Sequence, residues 1–176
     1  MNVFYRRIEL VANITIIAVA LLLGIVLVKR YVLSSPTANR SLAAKQENIK
    51  PGTKISLPDV DWSKKDTHLV LVLQRGCHFC TESAPFYQRL VKSLSSRTDL
   101  ELIAALPQDV NVGKQYLDEL QVPIGEVRQS SLSTIGVRGT PTLLLVDKTG
   151  TITDSWVGKL PPDKESEVFN RLQVKL

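Results

Sequence analysis

Arg75-Gly76-Cys77-His78-Phe79-Cys80-Thr81-Glu82-Ser83-Ala84-Pro85 holds both cysteines of the 176-residue chain, two residues apart. The apolar run Leu69-Val70-Leu71-Val72-Leu73 precedes it. Behind it Ala84, Tyr87, Leu90, Val91 and Leu94 recur at spacings of three and four. This is a strand turning into an amphipathic helix with a Cys-x-x-Cys at the turn, which reads as redox chemistry. A bridge between Cys77 and Cys80 closes too small a loop to constrain the unfolded chain, so a pairing there is reversible chemistry and not a staple.

Working outward, Thr67 to Leu73 is expected as a buried strand. A helix follows from Cys77 to about Ser96, bent at Pro85. Leu100–Leu106 is a second apolar strand, Val112–Leu120 a helix, Val127-Arg128 a short edge strand and Ser130–Ile135 a short helix. Thr142–Val146 and Thr151–Val157 are strands joined by the turn Asp147-Lys148-Thr149-Gly150. Asp163 to about Val174 closes the chain as a helix behind Pro161-Pro162. Lys54 to Trp62 is a short extended lead-in. Strands alternating with helices and ending in a hairpin predict an α/β sandwich about a mixed sheet.

Apolar residues make up 44% of the chain and charged ones 22%, which excludes a disordered or collagen-like protein. The net charge of +5 lies in residues 1–50, where seven Lys/Arg face Glu9 and Glu47; residues 51–176 balance fifteen against fifteen. The globular part therefore has no overall electrostatic attraction for nucleic acid. Val11 to Val28 is an uncharged 18-residue run between Arg6-Arg7 and Lys29-Arg30. As a helix it reaches roughly 27 Å, close to a bilayer's hydrocarbon thickness. It is read as a single transmembrane signal anchor, with a cleaved signal peptide as the alternative. The organisation expected is a short tail (1–10), the anchor (11–28), a polar tether (29–51) and one domain (52–176). Basic residues Lys29, Arg30, Arg40 and Lys45 after the span outnumber those before it, which by the positive-inside rule favours a cytoplasmic C-terminus. Reversible disulfide chemistry favours the opposite side, where disulfides persist.

At the site, a sulfur at the start of a helix faces unpaired amides and the positive end of the helix dipole, which favour a thiolate at Cys77. Cys80 lies one turn deeper, where burial keeps its proton. Cys77 is thus the candidate nucleophile and Cys80 the resolving thiol. His78, if protonated, tunes the pair by stabilising the thiolate; otherwise it is an exposed spacer. Phe79 is read as a packing or partner-contact residue. Glu82 is a candidate proton acceptor for Cys80, or a solvated helix residue.

A second motif, Gly136-Val137-Arg138-Gly139-Thr140-Pro141-Thr142, puts Thr-Pro directly before a strand. Together with the Cys-x-x-Cys helix and Pro85, it resembles the thioredoxin superfamily over roughly residues 52–174. The Leu57-Pro58-Asp59-Val60-Asp61 lead-in and the anchor are most similar to the membrane-anchored TlpA/ResA-like branch. The resemblance implies a thioredoxin-like three-layer fold, a redox-active Cys77–Cys80 disulfide and a cis Thr140–Pro141 bond. It also implies that the Thr140–Pro141 backbone pairs with a partner's extended chain. The chain departs from the family at three places. Gly76 stands where a tryptophan is common. Leu71 takes the position of thioredoxin's buried acid, and Ser83 that of the branch's glutamate. Gln74 stands where a peroxiredoxin needs threonine.

The resemblance implies a thiol–disulfide oxidoreductase acting on protein cysteines without a cofactor or metal. It implies too a reductant of the cytochrome c maturation type, fed by a membrane electron-transfer partner, in a single-pass protein whose domain faces the periplasm. The alternatives are an oxidant or isomerase, a copper(I) chaperone using Cys77, Cys80 and His78 or His68, and a non-catalytic binding module.

Overall fold

The computed structural model describes residues 16–23 and 49–173. Residues 16–23 are helical, with Ile16, Ile17, Val19, Leu21, Leu22 and Leu23 exposed. The rest of the expected 11–28 span, and most of the tether, lies outside the described residues. Among the described residues no helix is long and apolar enough to cross a membrane. The contacts divide the chain between residues 45 and 46, so 16–23 and 49–173 belong to separate units.

Five strands form one sheet: β1 (Thr67–Val72), β2 (Leu100–Leu106), β3 (Glu126–Gln129), β4 (Thr142–Asp147) and β5 (Ile152–Val157). Their order is β3-β2-β1-β4-β5. β1–β2 and β2–β3 are parallel, β1–β4 and β4–β5 antiparallel, which is the mixed sheet the alternation predicts. The helices are α1 (His78–Glu82), α2 (Ala84–Leu94), α3 (Val110–Glu119), α4 (Leu132–Ile135) and α5 (Pro162–Arg171).

Alternation along β1 assigns its side chains to two cores. Leu69, Leu71 and Leu73 join Cys80 and residues of α2, α3 and α5, such as Phe86, Leu117 and Phe169. Val70 and Val72 join Ile135 of α4 with Ile55 and Leu57 of the lead-in. The lead-in is pinned by hydrogen bonds from Gly52 N to Ile152 O (2.8 Å), Ile152 N to Thr53 O (2.8 Å) and Ile55 N to Gly150 O (2.9 Å). Ser155 Oγ also donates to Ile49 O at 3.1 Å. Trp62 heads a single turn of 3-10 helix (Trp62–Lys64) and packs over Gly150, where a Cβ would sit 3.0 Å from its ring.

Two expectations are corrected. The helix expected from Cys77 to Ser96 is two helices broken at Ser83, not one bent at Pro85. Pro85 has no amide to give Thr81 O, so the ladder is interrupted one turn before the proline itself. Ser83 N closes the last ordinary i→i−4 bond of the first helix, on Phe79 O (3.1 Å), and Tyr87 N takes up the ladder again on Ser83 O (3.2 Å). The next helix starts at Val110 and not at Val112, because Asp109 caps it by accepting from Asn111 N at 2.8 Å.

Candidate active site

β1 leads into the site through a turn whose left-handed backbone favours glycine. Gly76 has φ +82°, a left-handed conformation that costs an L side chain roughly 1–2 kcal/mol. Arg75 holds the turn's other side, its Nη2 2.9 Å from Glu119 Oε1 of α3 and its amide donating to Gln108 Oε1 at 3.3 Å.

Cys77 is itself the N-cap of α1. Its Sγ accepts from Cys80 N at 3.2 Å, as a serine or aspartate oxygen would at that position. The same sulfur lies 3.4 Å from Thr140 O and donates to it as a thiol. Half-buried, Cys77 stays reachable; Cys80 is fully buried (0% exposed). Both are free thiols. Burial, and next the neighbouring Cys77, push the Cys80 thiol up to about 12; the Gln74 amide and the Thr140 hydroxyl offset part of this. The asymmetry expected from the two positions along the helix is therefore present in the packing.

Thr140–Pro141 is cis and faces the dithiol through the Cys77–Thr140 contact. Its loop is fixed by Thr142 Oγ1 donating to Gly139 O (2.8 Å) and by Gly158 N donating to Pro141 O (2.7 Å). The second bond ties the loop after β5 to the Thr-Pro segment.

His78 and Phe79 are exposed, the Phe79 ring at 54% and tilted against His78 at 5.6 Å. His78 Nε2 is 3.2 Å from Glu82 Oε1 one turn on, and Glu82 Oε2 is 3.2 Å from Lys159 Nζ. Glu82 thus points along the surface, to a histidine and a lysine. Ser83, at the position of the branch's glutamate, donates its hydroxyl to Phe79 O at 2.7 Å. Below the helix Tyr87 and Tyr116 are buried with Cys80, and burial raises both phenols, so they stay protonated.

Sequence reasoning passed over Lys159. It is a lone lysine in a turn, and no local pattern signals that it meets a helix 77 residues earlier. His68, named as a distant third copper ligand, begins the strand whose far end leads to the cysteines, and it is fully buried. It is not brought to the dithiol. Among the described residues no group of three or more His, Cys, Asp or Glu is arranged to hold a metal ion.

The sheet order, the dithiol at the start of α1 and the cis-proline loop against it define a thioredoxin-like fold. No protein-family profile matches the chain, and no curated protein matches it in sequence. Solved structures do. A thiol:disulfide interchange protein from Bacteroides sp. is 16% identical, with 70% of this chain and 89% of that one covered and a TM-score of 0.53. The thioredoxin domain of a thiol-disulfide oxidoreductase from Bacteroides vulgatus is 16% identical, covering 70% and 98%, with a TM-score of 0.52. A thiol:disulfide interchange protein of the thioredoxin family from Chlorobium tepidum is also 16% identical, covering 71% and 96%, at 0.52.

Proposed function

We propose that this protein is a thiol–disulfide oxidoreductase acting on protein cysteines. The observation that carries the reading is the unequal placement of two adjacent thiols. Cys77 is reachable and its sulfur accepts a helix amide, whereas Cys80 is sealed beneath it and holds its proton.

Acting as a reductant, the Cys77 thiolate attacks one sulfur of a partner disulfide. A mixed disulfide forms and the partner's other sulfur leaves as a thiolate. Cys80 then loses its proton and attacks Cys77 Sγ, releasing the partner's second thiolate and leaving a Cys77–Cys80 disulfide. The partner gains two electrons and the two protons that the cysteines gave up. The partner's extended chain lies along the Thr140–Pro141 backbone, with Phe79 offering an apolar contact beside the nucleophile.

The chain's first 50 residues support a membrane-tethered form of this enzyme. Residues 11–28 would anchor it with the domain on the extracytoplasmic side, where partner disulfides persist. A tether concentrates the domain near a membrane dithiol donor that returns two electrons to the Cys77–Cys80 disulfide, as cytochrome c maturation of the TlpA/ResA type requires. The test is the reduction potential of the dithiol against glutathione and dithiothreitol. A value near or below roughly −250 mV supports the reductant, and one near roughly −120 to −180 mV makes it an oxidant or isomerase.

A further inference from the structure

Glu82 has two carboxylate oxygens and spends them on two different elements. Oε1 faces the His78 imidazole within α1, and Oε2 faces Lys159 on the loop after β5. That loop is held at three points. Gly158 N donates to Pro141 O, Leu160 packs against the larger core, and Pro162 opens α5. Lys159 therefore presents its ammonium from a fixed base. The carboxylate it meets sits two residues after Cys80, on the helix that Cys77 caps.

We propose that Lys159 is a positioning residue of the dithiol site: by engaging Glu82 it clamps the Cys-x-x-Cys helix to the loop after β5, which Gly158 ties to the Thr140–Pro141 segment, and neutralises a carboxylate that would otherwise oppose the Cys77 thiolate. This rests on the oxidoreductase reading and deepens it. A carboxylate this near the dithiol has two possible uses. It can take the proton of Cys80, or it can be held away as part of the site's charge balance. Its engagement with His78 and Lys159, and the full burial of Cys80, assign Glu82 to the second.

The sign follows from the charges. The reduced site carries a thiolate that the oxidised site lacks, so whatever removes positive charge nearby favours the disulfide. Lys159→Met leaves Glu82 uncompensated and shifts the balance of dithiol plus glutathione disulfide toward protein disulfide plus two glutathiones. Both Lys159 and Glu82 are substantially exposed (51% and 36%), so water screens the effect to a few-fold. About threefold is expected, roughly 14 mV at 29.6 mV per tenfold. Removing the carboxylate as well cancels the change.

The experiment equilibrates the full chain with glutathione buffers at one pH, in a His78→Gln background that removes the other cationic partner available to Glu82. Lys159→Met, Glu82→Gln and the double variant are compared. The expected result is a shift toward disulfide in Lys159→Met that the double variant reverses, a rescue that a loosened loop would not give. An unmoved equilibrium in Lys159→Met, or a double variant displaced as far as the single, overturns the clamp while leaving the oxidoreductase reading intact. A parent chain with no reversible couple overturns both.

Discussion

β1 has a histidine and a carboxylate at each end, and the two pairs behave in opposite ways. Beyond its C-terminal end, His78 Nε2 meets Glu82 Oε1 at 3.2 Å on the surface, with Lys159 alongside. At its N-terminal end, His68 Nε2 meets Glu101 Oε2 at 3.4 Å with the imidazole fully buried. That second contact is too poorly aligned to be a hydrogen bond, and both His68 nitrogens lack a partner. Glu101 is instead bonded to Lys64 Nζ at 2.8 Å, on the wall of a cleft of about 130 Å³ that also meets Asp61, Glu126 and Arg128. Trp62 closes over His68 edge-on at 5.0 Å. The same two chemical groups thus form a solvated contact at one end and, at the other, a contact in which burial disfavours the charged imidazole. Burial, more than residue type, decides which.

The comparison predicts that substitutions at the dithiol end change chemistry and leave the fold, while those at the His68 end do the reverse. Cys77→Ser should abolish thiol–disulfide exchange, a loss on the order of 10³-fold or more in an insulin-reduction assay, with an unchanged unfolding midpoint. An unfolded Cys77→Ser chain would break the division.

The next effect is at His68. Burial lowers its basicity below the ordinary histidine value, and Glu101 and Asp61 only partly oppose this, with Lys64 adding to it. The unfolded chain therefore binds this proton more readily than the folded one. Stability is then highest above about pH 6.5 and falls as the pH drops below it. His68→Leu should flatten that dependence in urea titrations and leave the reduction potential where it was. A variant that still loses stability over that range would place the acid sensitivity elsewhere.

Smaller again is His78→Gln. Removing an exposed imidazole beside Cys77 should move the glutathione equilibrium toward the disulfide by no more than about threefold, with no change in stability. An equilibrium moved toward the dithiol would mean that the ring does not favour the thiolate. Smallest is the effect of Glu82→Gln on the resolving step. With its carboxylate directed to His78 and Lys159, the rate at which Cys80 clears a mixed disulfide should change less than about twofold across pH 6–9. A large, pH-dependent loss would restore Glu82 as the proton acceptor.

The ends of β1 also differ in how far they could be read beforehand. The strand-to-helix turn with two cysteines, and Thr-Pro before a strand, are local patterns, and both sit where they were expected. β2 runs from Leu100 to Leu106 as its mostly apolar composition predicts. What local pattern could not carry was direction. Nothing in the order of residues says that Glu82 faces Lys159, because that depends on where the loop after β5 crosses the helix. Nor does a strand beginning Thr67-His68 announce that its histidine lies on the core face without a partner. The break at Ser83 was within reach, since Pro85 withholds its hydrogen bond a turn upstream of itself.

The central claim is that burial divides the labour between two neighbouring thiols. The direct test is the rate at which the full chain, as Cys80→Ser and separately as Cys77→Ser, forms a mixed disulfide with oxidised glutathione at pH 7. The account predicts that Cys80→Ser forms the adduct at Cys77 quickly and keeps it, for want of a resolving thiol, while Cys77→Ser reacts slower by orders of magnitude. Equal rates for the two variants would contradict it, because they would mean that neither the exposure of Cys77 nor the burial of Cys80 governs the chemistry.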